Sequence, residues 1–238
     1  MRIGPRSFAR LSIASVALAM ACVLLGRVNH AKAAVVTVDP TKMTNGYMFV
    51  SELPSNGGAA DFNQPWGAAD LESSFSGSTV TVSPNTSIDR DVPTSTYWWQ
   101  DASGTSPGNK IMDALLYAEN QSITDTSYTF NYNVLSNTLV APYTSVGFVK
   151  AFGPSFSYYI GDMSAALNPG PGSITFPGLL AGDVVQYGFE TIGPDARLAQ
   201  EASLGSAVIA PVAIPEPTTM LLAGAGAMAA LAARRRRA

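Results

Sequence analysis

Short apolar runs alternate with clusters of Ser, Thr, Asn, Gly and Pro between residue 34 and about residue 210. Apolar runs bounded by turn residues are typical of β-strands. Alternation is clearest where Tyr128, Phe130, Tyr132 and Val134 occupy every second position, and this pattern predicts that the four share one face of a strand. We predict strands at 35–38, 47–52, 78–83, 96–100, 127–135, 144–149, 155–160, 172–176 and 183–191.

The segment 111–120 fits two structures. Ile111, Leu115 and Ala118 have helical spacing, and the segment is rich in residues that favour helices. The same segment also alternates, with Ile111, Asp113, Leu115 and Tyr117 on one side. Because strands are predicted before and after it, and tertiary context overrides weak propensity, we favour a strand.

This succession of short strands and Gly- and Pro-containing turns predicts an all-β domain, a two-sheet β-sandwich. Several stretches, in their order along the chain, resemble galactose-binding-type jelly rolls of secreted surface proteins. They are Trp98-Trp99, Gly108-Asn109-Lys110, 116–119, 128–130, 136–138 and 187–191. The resemblance covers about residues 45–210. It implies a jelly-roll type of sandwich in which one face or loop edge binds glycans.

The N-terminus has the three parts of an export signal. Arginines precede an apolar run at 11–25, and Ala31-Lys32-Ala33 follows as a small-x-small cleavage site. These features predict a signal peptide at 1–33, handled by an export translocase and cut by signal peptidase after Ala33. A retained anchor is the alternative, but this run is short for a membrane span, which ideally has about 20 residues.

The C-terminus has a motif, an apolar stretch and a basic cluster in succession. Pro215-Glu216-Pro217 precedes the apolar residues 218–233, and Arg234, Arg235, Arg236 and Arg237 follow at once. This order resembles the PEP-CTERM sorting tail, here residues 211–238. The resemblance implies a transmembrane sorting helix at 218–233 that holds the protein in the inner membrane until an exosortase recognises Pro215, Glu216 and Pro217. It also implies cytoplasmic arginines, and a final place at the cell surface or in an extracellular matrix.

The predicted domain, 34–210, is strongly acidic. Five basic residues stand against 16 acids once the two terminal signals and Glu216 are set aside, a net charge of −11. Nucleic-acid affinity comes largely from clustered Lys and Arg, so nucleic-acid binding is excluded. The terminal arginines fit a membrane anchor better than a nucleic-acid patch.

Signal-peptide removal would also remove Cys22 and His30, which are the only Cys and the only His of the chain. The remaining chain could form no disulfide, no thiolate nucleophile, no Ser-His-Asp triad and no zinc site with His or Cys ligands. Chemistry therefore depends on carboxylates, hydroxyls and aromatic rings. We predict no catalytic residue and no cofactor.

Three sets of residues are candidates for a site. Aromatic rings stack on sugar rings, so the aromatic set could form a glycan platform, although large aromatics are more often buried. It consists of Trp66, Tyr97, Trp98, Trp99 and Tyr117. Weak candidates for a Ca²⁺ site, which lack an EF-hand pattern and fit solvated loops better, are Asp61, Asp70, Asp89 and Asp91. Carboxylate pairs for glycoside hydrolysis are Asp113 with Glu119, or Asp183 with Glu190.

These observations favour an exported, surface-sorted envelope or matrix protein, either structural or glycan-binding, whose partner is extracellular polysaccharide. The alternative is a carbohydrate-active enzyme, a hydrolase or lyase, that uses Asp and Glu. No recognisable acid pair supports the alternative, so we predict that the protein is not an enzyme.

Overall fold

The protein is described by a computed structural model over residues 33–121 and 123–212, all within the compact unit that begins at Ala33. The predicted signal peptide before Ala33 lies outside the described residues. So do the sorting motif at 215–217, the span at 218–233 and the arginines at 234–237. Over the described ranges, none of the helices combines the length and apolar character needed to cross a membrane.

Most of the described chain forms β-strands. They are β1 (Ala33–Thr37), β2 (Asn45–Glu52), β3 (Ala60–Pro65), β4 (Ser73–Ser76), β5 (Thr79–Val82), β6 (Lys110–Asn120), β7 (Ser127–Asn137), β8 (Thr144–Phe152), β9 (Tyr159–Ala166), β10 (Gly170–Pro177), β11 (Val184–Pro194) and β12 (Ala207–Ala210). Two short helices lie between strands, α1 (Ser87–Asp91) between β5 and β6 and α2 (Glu201–Leu204) between β11 and β12. Single 3-10 turns occur at Pro54–Asn56, Pro154–Phe156 and Leu198–Gln200.

The strands form two six-stranded sheets. In sheet 1, β7 pairs with β10 along one edge, and β5 and β4 continue the sheet beyond β12. The other edge of β7 is shared, because β1 runs parallel to its first half and β12 runs antiparallel to its second half. Sheet 2 has the order β3-β2-β6-β11-β8-β9 and is antiparallel throughout. This arrangement confirms the prediction of a two-sheet sandwich.

The main hydrophobic core lies between the sheets. Alternation in β7 directs Tyr128, Phe130, Tyr132 and Val134 into it, as predicted, and all four are buried. The ring of Phe130 lies 5.5 Å from that of Phe189 in β11, centroid to centroid. Large apolar and aromatic side chains on the facing strands therefore hold the sheets together without any disulfide.

A second core lies under the segment between β5 and β6. Met48 and Met112 of sheet 2 pack there with Leu71, Ile88 and the fully buried Trp99. This core explains how a segment with little regular structure is ordered on the sandwich, since its large side chains are buried against β2 and β6.

Arg197 fastens that segment to the chain after β11. Its guanidinium lies 3.5 Å from the centroid of the Trp99 ring. Nη1 donates to Asp89 Oδ1 and to the Pro93 carbonyl, both at 2.7 Å, and Nε donates to the Ser106 carbonyl at 2.8 Å. Because these partners come from three points of the segment, a single buried cation holds its path.

Most predicted strands are confirmed, and the differences concern two predicted strands and three strands that were missed. The segment 111–120, for which we favoured a strand, is β6. Residues 96–100 are turns with one isolated bridge, because Trp98 and Trp99 serve the second core and not a ladder. The strand predicted at 155–160 begins later, as β9, after the turn at Pro154–Phe156. The strands β3, β4 and β12 were not predicted.

Candidate functional site

The outer face of sheet 2, which points away from the main core, carries an unusual set of side chains. Alternation in β2 puts Met48 and Val50 inward, so Tyr47 and Phe49 point outward. The same rule places Tyr117 of β6 and Phe152 of β8 on this outer side. We call these four residues the aromatic face. An outer sheet face that faced only water would carry mostly polar side chains.

Two clefts adjoin on this face and share Phe49. The first has a volume of about 310 Å³ and includes Asp61, Asn63 and Asp113 in its lining. The second has a volume of about 210 Å³ and is lined by the aromatic face with Leu115, Lys150 and Gln186. The Phe49 ring lies between the clefts, 5.0 Å from the Tyr47 ring, centroid to centroid. The face thus offers rings beside hydrogen-bonding groups.

Two carboxyls meet at the centre of the face. Asp113 of β6 and Glu190 of β11 are diagonal neighbours, because Glu190 pairs with Leu115, and their side chains are close enough to hydrogen-bond. Burial and repulsion by Glu190 raise the pKa of Asp113 to about 7, although Lys150 opposes the shift. Lys150 Nζ lies 3.4 Å from Glu190 Oε2. At neutral pH, therefore, this pair can both donate and accept hydrogen bonds.

A buried lysine supports the edge of the first cleft. Lys110 is almost fully buried, and its Nζ contacts Glu52 and lies 3.0 Å from Asp61 Oδ2. It also lies 4.1 Å from the centroid of the Tyr97 ring, and the Tyr97 hydroxyl donates to Asp61. Hydrogen bonds from Tyr97 and Lys110 lower the pKa of Asp61. Asp61 is therefore an ionised, fixed acceptor at the cleft.

The predicted aromatic platform does not form as a unit. Trp99 is fully buried beneath Arg197 and cannot reach a ligand. Trp66 and Trp98 pack against the second core, and Tyr97 covers Lys110. Of the five predicted residues, only Tyr117 lies on the aromatic face. The adjacent tryptophans were thus signals of packing, as large aromatics usually are.

The four candidate calcium ligands are also separated. Asp61 is bound by Lys110, and Asp89 is bound by Arg197. Asp70 and Asp91 line another cleft, beside Trp66. Across residues 33–121 and 123–212, no group of three or more His, Cys, Asp or Glu side chains is placed to hold a metal ion.

Neither predicted carboxylate pair is formed. Asp113 and Glu119 lie six residues apart in β6, about 20 Å along the strand, which is too far for joint action on one bond. Asp183 is buried and its Oδ2 accepts the Leu180 amide at 2.8 Å, while Glu190 lies on the outer face. One member of each predicted pair, Asp113 and Glu190, forms the pair that is present.

Sequence reasoning missed Tyr47, Phe49, Lys150, Gln186 and the partnership of Asp113 with Glu190. A signal for the first two existed, because β2 is apolar at successive positions on both of its sides. A strand with one face in the core and one in water would alternate instead. Nothing local in the sequence marks Lys150 or Gln186, since they reach the face through pairing across β8 and β11.

Comparison with known protein families finds one match, in which residues 213–237 fit the PEP-CTERM protein-sorting motif. No curated protein and no solved structure matches the chain. The motif supports the predicted sorting tail, and it implies export, membrane-anchored sorting and recognition by an exosortase. It covers the tail alone and carries no information about the sandwich.

Proposed function

We propose that this chain is an exosortase-processed protein that is delivered to the cell surface or extracellular matrix, where its sandwich binds a glycan on the aromatic face. The observation that carries the proposal is Phe49, a ring that is 41 % exposed between two clefts lined with hydrogen-bonding groups. Sugars combine apolar ring faces with hydroxyls, and this face has partners for both. The resemblance to galactose-binding-type jelly rolls agrees with the same role.

The charges on the face select the class of glycan. Asp61, Glu119 and the pair of Asp113 with Glu190 surround the clefts, whereas Lys150 is already engaged by Glu190. A polysaccharide rich in carboxylates or sulfates would be repelled by this surface. The ligand is therefore a neutral glycan or one that carries amines.

Binding fits the carboxyls better than catalysis does. Glycosidases hold their two carboxyl groups about 5–9.5 Å apart so that the scissile bond, and in inverting enzymes a water, fits between them. A hydrogen bond between the Asp113 and Glu190 side chains contributes to the raised pKa of Asp113, and it leaves no such gap between these two carboxyls. The pair serves instead as a polar contact for hydroxyl groups.

The test is a glycan-binding assay with Phe49→Ala against Phe75→Ala. Both phenylalanines are exposed to the same degree, 41 % and 42 %, but Phe75 lies in β4 of sheet 1. Loss of a central aromatic anchor costs about 2 kcal/mol, so Phe49→Ala should weaken binding about 30-fold and Phe75→Ala should leave it unchanged. Equal effects would refute the proposed face, and release of reducing sugar from the bound glycan would establish the enzymatic alternative.

A further inference from the structure

One end of the sandwich is markedly apolar at its surface. β1 begins at this end and β10 finishes there. Ala33 of β1 pairs with Ser127 of β7, and Ser127 also pairs with Pro177, the last residue of β10. Two loops meet there, β8–β9 and β10–β11, and Pro154 lies against Gly182. The exposed large side chains of these loops and of the start of β9, which we call the apolar end, are Phe156, Tyr158, Tyr159, Ile160 and Leu180.

The apolar end is not a random scatter of surface residues. Each of its side chains is at least 37 % exposed, and Leu180 is 66 % exposed at the tip of its loop. Ser155 and Phe156 both have positive φ, a conformation that is costly for residues other than glycine. The chain thus accepts local strain in the turn that presents Phe156. Exposed apolar patches of this kind mark interaction surfaces.

Several polar groups in and beside the β8–β9 loop already have internal partners. Within the β8–β9 loop, the Gly153 amide donates to the Tyr158 carbonyl at 2.9 Å and the Phe156 amide donates to the Gly153 carbonyl at 3.0 Å. The acid Asp162 is hydrogen-bonded by the Tyr159 hydroxyl. Backbone groups with internal partners lose little when they leave water, so these loops suit an apolar or interfacial medium.

The C-terminal connection runs toward the same end. β12 is antiparallel to β7, and Ala210 pairs with Asn133; the Val212 amide then donates to Thr37 Oγ1 at 3.0 Å, and Thr37 pairs with Asn131. From Thr37 to Ala33 the distance along β1 is about 13 Å. Residues 213–217 lie between Val212 and the predicted span, and fully extended they reach about 20 Å. A tail held in a bilayer therefore keeps this end close to the lipid surface.

We infer that the apolar end docks on the membrane interface while the tail anchors the chain, so that the sandwich rests on the bilayer with its β1 start toward the lipid. This inference rests on the membrane-held tail of the proposed function. Aromatic side chains favour the headgroup region, where an apolar ring and a polar hydroxyl are both accommodated. Lipids with neutral headgroups fit this role, because anionic headgroups would repel the acidic domain.

The test uses the full exported chain in phosphatidylcholine vesicles. A bimane label is placed through Leu180→Cys or, as the matched control, through Val140→Cys; signal-peptide removal takes away Cys22, so each variant carries one cysteine. Val140 is 43 % exposed in the β7–β8 loop, at the opposite end of the sandwich. Lipids brominated near the headgroup should quench the label at 180 at least twofold more than the label at 140. Adding Tyr158→Ser and Ile160→Ser should remove most of that difference.

The outcomes separate this inference from its premise. If alkaline carbonate extracts the chain from the vesicles, the anchored tail fails and the inference falls with it. If the chain stays in the vesicles but both labels are quenched equally, only the docked end is refuted. A third outcome is that the label at 180 has the same fluorescence in plain and in brominated lipid, while energy transfer between copies rises with protein density. The apolar end would then be an interface between copies, and the inference would also be refuted.

Discussion

Arg197 offers the sharpest test of how the segment between β5 and β6 is held. Replacement by Met keeps the length of the side chain but removes the guanidinium. The Asp89 carboxylate, whose side chain is 14 % exposed, then has no cation, and the carbonyls of Pro93 and Ser106 lose a donor. Breaking a buried ion pair from one side costs about 3–5 kcal/mol. We expect Arg197→Met to lower the free energy of unfolding by that amount.

Urea denaturation followed by tryptophan fluorescence measures this loss directly, because Trp99 lies beneath Arg197. With a denaturant slope of about 2 kcal/mol/M, the midpoint should fall by about 2 M. Arg90→Met is the matched control, since Arg90 pairs with Glu72 but its side chain is 42 % exposed, and surface pairs contribute at most about 1 kcal/mol. Equal midpoints for the two variants would refute the role assigned to Arg197.

Three other predictions concern two buried charged side chains and the sorting motif. Asp195 follows β11, and its Oδ1 accepts the Lys110 amide at 3.0 Å. Burial raises the pKa of Asp195 to about 7, so the folded state binds its proton more tightly than the unfolded state, whose pKa is near 3.8. Stability should therefore fall by about 3 kcal/mol as pH rises from 4 to 7, and Asp195→Asn should flatten that slope in thermal melts. Lys110→Met leaves Glu52 and Asp61 without their cation, so it should lower the free energy of unfolding by about 2–4 kcal/mol in urea denaturation. The control Lys42→Met breaks an exposed ion pair and should lower it by less than about 0.5 kcal/mol. Glu216→Ala should keep the basic tail on the exported protein, a difference that the mass of its C-terminal peptide reveals; identical masses for variant and wild type would contradict recognition of the motif.

The sequence was most informative where structure is local. Alternation predicted β7 and the four side chains that it sends into the core, and the strand environment of 111–120 outweighed its helical propensity. Short strands such as β4 and β12 escaped prediction, because four residues give too little alternation to stand out from turns. The pair Trp98-Trp99 suggested a strand by propensity, yet burial in a second core decided its conformation.

The candidate site was hard to predict for a different reason. Asp113 and Glu190 are distant in sequence and meet only because β6 and β11 pair in one particular register. A shift of one residue would turn every outward side chain of a strand inward, so no local pattern specifies which carboxyls become neighbours. Tyr117 was predicted as a site residue only because it is aromatic. Phe49 required knowledge of which side of β2 faces the core.

β1 and β12 share one edge of β7, and this arrangement determines when the domain can finish folding during export. The first strand of the domain and the last one lie end to end on that edge, and β5 and β4 join sheet 1 only through β12. Sheet 1 therefore cannot be completed until Ala210, the residue directly before the sorting tail, has left the translocase. The sandwich is therefore complete only when the sorting tail itself has reached the translocase.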